Sequence, residues 1–101
     1  MQGIKTLKEL SKQEAVTAEE LSDTLYDLVE KVNPISDDEV EAFIEILARV
    51  DVGMHTDYIL LRASVNLGIE SAVKAGRPED AYGYLKLIKV VDEKHESDKN
   101  K

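Results

Sequence analysis

Ser36-Asp37-Asp38-Glu39-Val40-Glu41-Ala42-Phe43-Ile44-Glu45-Ile46-Leu47 carries in one stretch the signals that decide the fold. Ser36 followed three residues later by Glu39 is a capping box, and Asp37, Asp38 and Glu39 stand where a helix dipole favours negative charge. Val40, Phe43, Ile44, Leu47 and Val50 recur at helical spacing with Ile46 alongside, which predicts an amphipathic helix burying this stripe. At an offset of 41, Arg77-Pro78-Glu79-Asp80-Ala81-Tyr82-Gly83-Tyr84-Leu85-Lys86-Leu87-Ile88 repeats the pattern. Apolar positions coincide at 40/81, 43/84, 44/85, 46/87, 47/88 and 50/91, and Asp51 falls on Asp92.

Each copy is preceded by another helical segment. Thr17-Ala18-Glu19-Glu20 is a second capping box, after which Leu21, Leu25, Leu28, Val29 and Val32 share one face. Asn33-Pro34 ends that helix, because the residue before proline is pushed out of helical geometry. The segment Thr56 to Ala75 is apolar around most of its circumference, through Ile59, Leu60, Leu61, Ala63, Val65, Leu67, Ile69, Ala72 and Val73. Such a helix is central to a bundle or lies in an oligomer interface. The pairs Leu21/Leu61, Leu25/Val65, Val29/Ile69 and Val32/Ala72 extend the repeat at an offset of 40. Gly76 is a left-handed stop and Pro78 opens the last helix, which carries Ala81, Tyr84, Leu85, Ile88 and Val91 to about Lys94. Thr6-Leu7-Lys8-Glu9 caps a short helix with Leu7 and Leu10 inward, and no segment alternates with a strand period. The expected fold is all-α: a compact bundle of four main helices as two stacked helix hairpins, with a short extra N-terminal helix. One domain over 1–95 and a polar C-terminal tail over 96–101 complete it.

Composition narrows the function classes. Among 101 residues there is no Cys, which excludes disulfides, thiolate metal sites and Cys nucleophiles. No apolar run approaches membrane-spanning length and the first residues lack a signal-peptide core, so a cytoplasmic address without membrane partners is expected. The net charge is −8. Residues 14–57 hold thirteen acids against only Lys31 and Arg49, so one contiguous half supplies the negative field. That half repels duplex DNA, which argues against direct nucleic-acid binding and for a basic protein partner. Glu30, Asp38, Glu39, Glu41 and Glu45 are the candidate acidic contacts, and Tyr82 a candidate aromatic anchor.

Two family resemblances attach to particular residues. From Tyr58 to Glu93 the chain resembles a tetratricopeptide-type helix hairpin, through Asn66-Leu67-Gly68, Gly76-Arg77 at the turn, and Ala81, Leu85 and Ile88. The resemblance implies close antiparallel packing of two helices and a role in binding peptides or proteins. It covers about a third of the chain, with Ser71 in place of the usual aromatic, Gly68 to Gly76 one residue longer than the pattern, and no closing proline. Separately, Glu20-Leu21-Ser22-Asp23-Thr24-Leu25-Tyr26-Asp27-Leu28 looks like the second metal-binding helix of MazG-type nucleoside triphosphate pyrophosphohydrolases. There Glu20 and Asp23 would hold Mg²⁺ over phosphates. The earlier Glu-x-x-Glu that such enzymes need is missing here.

The remaining candidates have simpler readings. His55 and His95 lack sequence-local partners for a catalytic or metal role and are expected at the surface. Lys5 to Leu28 could be drawn as a helix-turn-helix, but its second helix carries Glu19, Glu20, Asp23 and Asp27, the wrong sign for phosphates. The expectation is a non-enzymatic protein-interaction module without cofactor, binding another protein, with homodimerisation through residues 56–75 linked to it. The alternative is an acidic DNA-mimic inhibitor, of the kind phages and mobile elements carry, covering the groove of a basic nucleic-acid-binding protein. A Mg²⁺-dependent nucleotide pyrophosphohydrolase comes third.

Overall fold

Three of the described helices begin at caps that the local sequence supplies, at Thr6, Thr17 and Ser36. The computed structural model describes residues 6–31 and 35–100 and resolves them into α1 (Leu7–Leu10), α2 (Ala18–Lys31), α3 (Asp37–Leu47), α4 (His55–Lys74), a 3₁₀ turn (Pro78–Ala81) and α5 (Tyr82–Lys99). Thr6 and Glu9 exchange backbone and side-chain hydrogen bonds at the start of α1. Thr17 and Glu20 do the same for α2, at 3.1 Å in each direction. Helix α4 closes with two bonds, Arg77 N–H to the Ala72 carbonyl and Gly76 N–H to Val73, with Gly76 at φ +75°. This double closure satisfies orphan carbonyls and needs a left-handed residue, which glycine adopts without strain. The expected stop at Asn33-Pro34 and the inward Val32 lie outside the described residues.

The major helix contacts form a ring: α1 on α2, α2 on α4, α4 on α5, α5 on α3, and α3 back on α1. One core fills the ring, with Leu7, Leu21, Leu25, Phe43, Ile46, Leu61, Val65, Tyr84 and Leu87 all fully buried. The fold is thus an all-α bundle of four main helices with a short N-terminal helix. Helices α4 and α5 pack directly as an antiparallel pair. Helices α2 and α3 instead lean on α4 and α5, and α1 wedges Leu7 and Leu10 beside both. A four-residue helix is below the length that is stable alone, so burial of those two leucines holds it.

Helices α3 and α5 run side by side in the same direction. At their N-terminal ends the Gly83 backbone packs under Ile35 and Val40, so a Cβ at 83 would collide with Ile35. At their far ends the Lys94 ammonium donates to the Val50 carbonyl at 2.9 Å, and Val52 N–H to Asp98 at 2.9 Å. The 41-residue repeat reappears as a burial pattern: Val40/Ala81, Phe43/Tyr84, Ile46/Leu87 and Val50/Val91 are buried in both copies. Gly68 of α4 lies directly beneath the Tyr84 ring, where any side chain would collide. The Tyr84 hydroxyl is buried without a hydrogen-bond partner among the described residues, and burial pushes its pKa up to about 12.

Several expectations are corrected. Ile44 and Leu85, read as core, are 39% and 46% exposed; Ile46 and Leu87 take the inward places, because the two helices turn that row toward the ring. On α4, Ile59 and Val73 are exposed, while Leu61, Ser64, Val65, Gly68 and Ala72 face inward. Helix α5 passes Lys94 and runs to Lys99, so residues 96–99 of the expected polar tail are helical. Its last turn is held by Asp98, 7% exposed. His95, expected at the surface, is half-buried.

Candidate functional site

Two groups of carboxylates meet different fates in this fold. The first is on α2. Glu19, Asp23, Asp27 and Glu30 follow one another at i, i+4, i+8 and i+11, which places all four on one helix face. The opposite face carries buried Leu21, Leu25 and Val29, so the row is forced outward by the core. All four are exposed and none forms an ion pair with a described side chain. The row spans about 16 Å at the helical rise, with half-buried Tyr26 in its midst.

The acids named from sequence are divided by the structure. Glu30 belongs to this row. Glu41 and Glu45 stand exposed on α3 without ion pairs among the described residues, and Asp38 is exposed but bridged to Lys8 at 3.2 Å. Glu39 is structural. Ser36 accepts the Glu39 N–H as expected, yet the Glu39 carboxylate accepts the orphan Leu7 N–H at 3.3 Å, capping α1 across space. Tyr82 is 68% exposed at the start of α5, close in sequence to exposed Leu85. Glu20 is engaged in the α2 cap, while Asp23 points outward in the row. Among the described residues no group of three or more His, Asp or Glu is placed to hold a metal ion.

The second group sits where α5 passes the 50–53 connection. Tyr58 donates to Asp92 at 2.7 Å, and Arg62 donates to the same oxygen at 3.1 Å. Burial alone would raise the Asp92 pKa, but the hydrogen bonds from Tyr58 and Arg62 and the charges of Arg62 and His95 outweigh it and hold the carboxyl below its ordinary range. The same hydrogen bond, helped by partial burial, raises the Tyr58 hydroxyl. The His95 ring stacks on Tyr58 with centroids 3.9 Å apart, and its Nδ1–H donates to the Val52 carbonyl at 2.8 Å. One turn on, Asp98 accepts from Lys94 at 2.6 Å and from Val52 N–H. These bonds tie α5 to the α3–α4 connection and to α4; they are a brace.

The sequence reading missed this brace, and it missed Arg49. The Arg49 guanidinium donates to the carbonyls of Ser11 and Gln13 at 2.7 and 2.8 Å, fixing the loop between α1 and α2 onto the end of α3. No local pattern announces bonds between residues 30 or more apart. The repeat gave one available signal, since it pairs Asp51 with Asp92 at equivalent positions.

Compared with known protein families, curated proteins and solved structures, the chain matches none of them. No described helix is long and apolar enough to cross a membrane.

Proposed function

We propose that the protein is a non-enzymatic interaction module that engages a basic protein partner through the carboxylate row of α2. The observation that carries this reading is that four exposed acids on one helix face have no described counter-charge, although the chain pairs Asp92, Asp98 and Asp38 elsewhere. Like charges at i, i+4 destabilise a helix slightly, so the row costs stability where it stands. A basic partner relieves that repulsion and gains charge complementarity, which accelerates encounter and selects the partner by sign.

Three intervals over about 16 Å set neighbouring charges about 5.5 Å apart along the helix, wider than the one per about 3.4 Å of axis of a single DNA strand. The alternative reading rests on the regular line of like charges on one exposed face: the row imitates a strand of phosphates and occupies the groove of a nucleic-acid-binding protein.

The experiment is a pull-down from the native host's lysate with the wild type and with Asp23→Lys/Asp27→Lys, washed at low and high salt. A basic protein retained by the wild type, released by about 1 M salt where screening acts within about 3 Å, and lost in the variant is the expected result. Equal retention by the variant overturns the reading. Displacement of the captured protein by duplex DNA selects the phosphate-mimic form; indifference to DNA leaves the adaptor form.

A further inference from the structure

The ring of helices is closed by its shortest α-helix. Helices α2 and α3 make no major contact with one another, and α1 bridges them, touching both. Its four residues bring in two leucines three positions apart, Leu7 and Leu10, each almost wholly removed from water. Polar contacts complete the seat. The Leu7 N–H donates to the Glu39 carboxylate at 3.3 Å, and the Lys8 ammonium meets Asp38 at 3.2 Å. Arg49 holds the carbonyls of Ser11 and Gln13 just beyond, and Val16 is buried before α2 begins.

To the four main helices, α1 is a docked peptide. The seat offers a carboxylate to an unpaired N–H, a second carboxylate to a base at the next position, and a guanidinium to the carbonyls that follow. We propose that this cleft between α2 and α3 is a binding site for a helical segment of a partner protein, and that α1 fills it as an internal competitor. The contacts specify the segment: leucines at i and i+3, and a lysine or arginine after the first leucine. Helix α1 can leave without dismantling the rest. A four-residue helix does not persist outside its seat, and the exposed Lys8–Asp38 bridge is screened by water. The contacts of α2 with α4, α4 with α5 and α5 with α3 do not involve α1, so the main helices keep an unbroken series of packings when it is gone. A longer incoming helix fills the same leucine places and satisfies more of its own backbone than α1 does. The cleft lies apart from the outward row of α2, so each reading can fail without the other.

The probe is a labelled peptide of the chain's own sequence from Thr6 to Val16, titrated into the full chain by fluorescence anisotropy. Leu7→Asp/Leu10→Asp ejects α1, because it sets carboxylates against an apolar cleft and beside Asp38 and Glu39. This variant is expected to bind the peptide with a Kd of about 1 mM or tighter. The wild type should bind at least about tenfold more weakly, since its own α1 keeps the site filled. A peptide with alanine at both leucine positions should not bind, and Asp38→Lys added to the variant should weaken binding about threefold. Native-state hydrogen exchange on the wild type is the second measurement. The Leu10 and Ser11 N–H groups, bonded within α1, should exchange through an opening that leaves α4 and α5 protected. Exchange of these groups only with global unfolding overturns the proposal. So does a folded variant that ignores the peptide at about 1 mM, or a wild type that binds it as tightly as the variant. Loss of helix in the variant by circular dichroism also overturns it, since the four main helices then do not stand without α1. A wild type that forms dimers lost in Leu7→Asp/Leu10→Asp assigns the cleft to a second copy and overturns the partner reading.

Discussion

The carboxylates of α2 and those at the end of α5 are the same chemical groups in opposite circumstances. Glu19, Asp23, Asp27 and Glu30 stand in water on a helix whose other face is core, with no described counter-charge. Asp92 and Asp98 lie half-buried or buried, each accepting two hydrogen bonds from residues of other elements or other turns. The acid-dense stretch holds carboxylates without a described counter-charge, whereas Asp92 and Asp98 near the C-terminus fasten one element to another. Charge density in a sequence therefore does not tell structural acids from available ones. The deciding quantity is whether the fold brings donors to them.

The sharpest test of that contrast is Asp98→Ala. It strands the Lys94 ammonium, which is mostly buried, and leaves Val52 N–H without its acceptor. Removing one partner of a buried pair should cost about 3 kcal/mol, a fall in Tm of about 15 °C for a chain this short. A thermal scan of the variant that stays within a degree or two of wild type would place Asp98 with the dispensable acids. A smaller loss is expected for Asp92→Ala. Arg62 and Asp92 are each more than a third exposed, so solvent screening reduces their pair and the loss is about 1 kcal/mol, read by urea unfolding.

Acid titration separates the two regions further. The folded Asp92 carboxyl is held below its ordinary range, so it stabilises the fold above the unfolded carboxylate value, about pH 3.9, and that contribution fades as pH falls through the folded pKa. The stability gap between the wild type and Asp92→Asn should accordingly narrow below about pH 4. A gap unchanged from pH 6 to pH 3 would remove the charge-based account of this brace. The smallest effect is expected on α2. Asp23→Lys/Asp27→Lys lowers the net negative charge and places opposite charges beside Glu19 and Glu30, so stability should change by about 0.5 kcal/mol or less, in the stabilising direction. A loss of several kcal/mol there would mean that the row has a structural role after all.

How much of this was legible differs from element to element. The capping boxes at Thr6 and Thr17, the stop at Gly76 and the inward places of Leu21, Leu25, Phe43 and Leu47 follow from local pattern, because caps and helical periodicity act over a few residues. The inward row of α3 was set one step off. Ile44 and Ile46 are both apolar, and only the positions of α1 and α5 choose between them. The same ambiguity recurs at Leu85 and Leu87, which is how a repeat in sequence becomes a repeat in surface. Of the candidate acids, Glu30, Glu41 and Glu45 are exposed without described ion pairs, whereas Glu39 serves α1 from thirty-two residues away.

By itself, then, the sequence determined that the chain is all-α, where most of its helices start and stop, and that its negative charge gathers in one half. These depend on neighbours within a turn or two. Only the tertiary structure decided that α2 and α3 lean on the following pair, that Asp98 and Arg49 fasten distant segments, and that Ile44 and Leu85 both come to the surface. Those outcomes depend on which helix faces which, and helical periodicity is silent about that because several packings bury the same stripes.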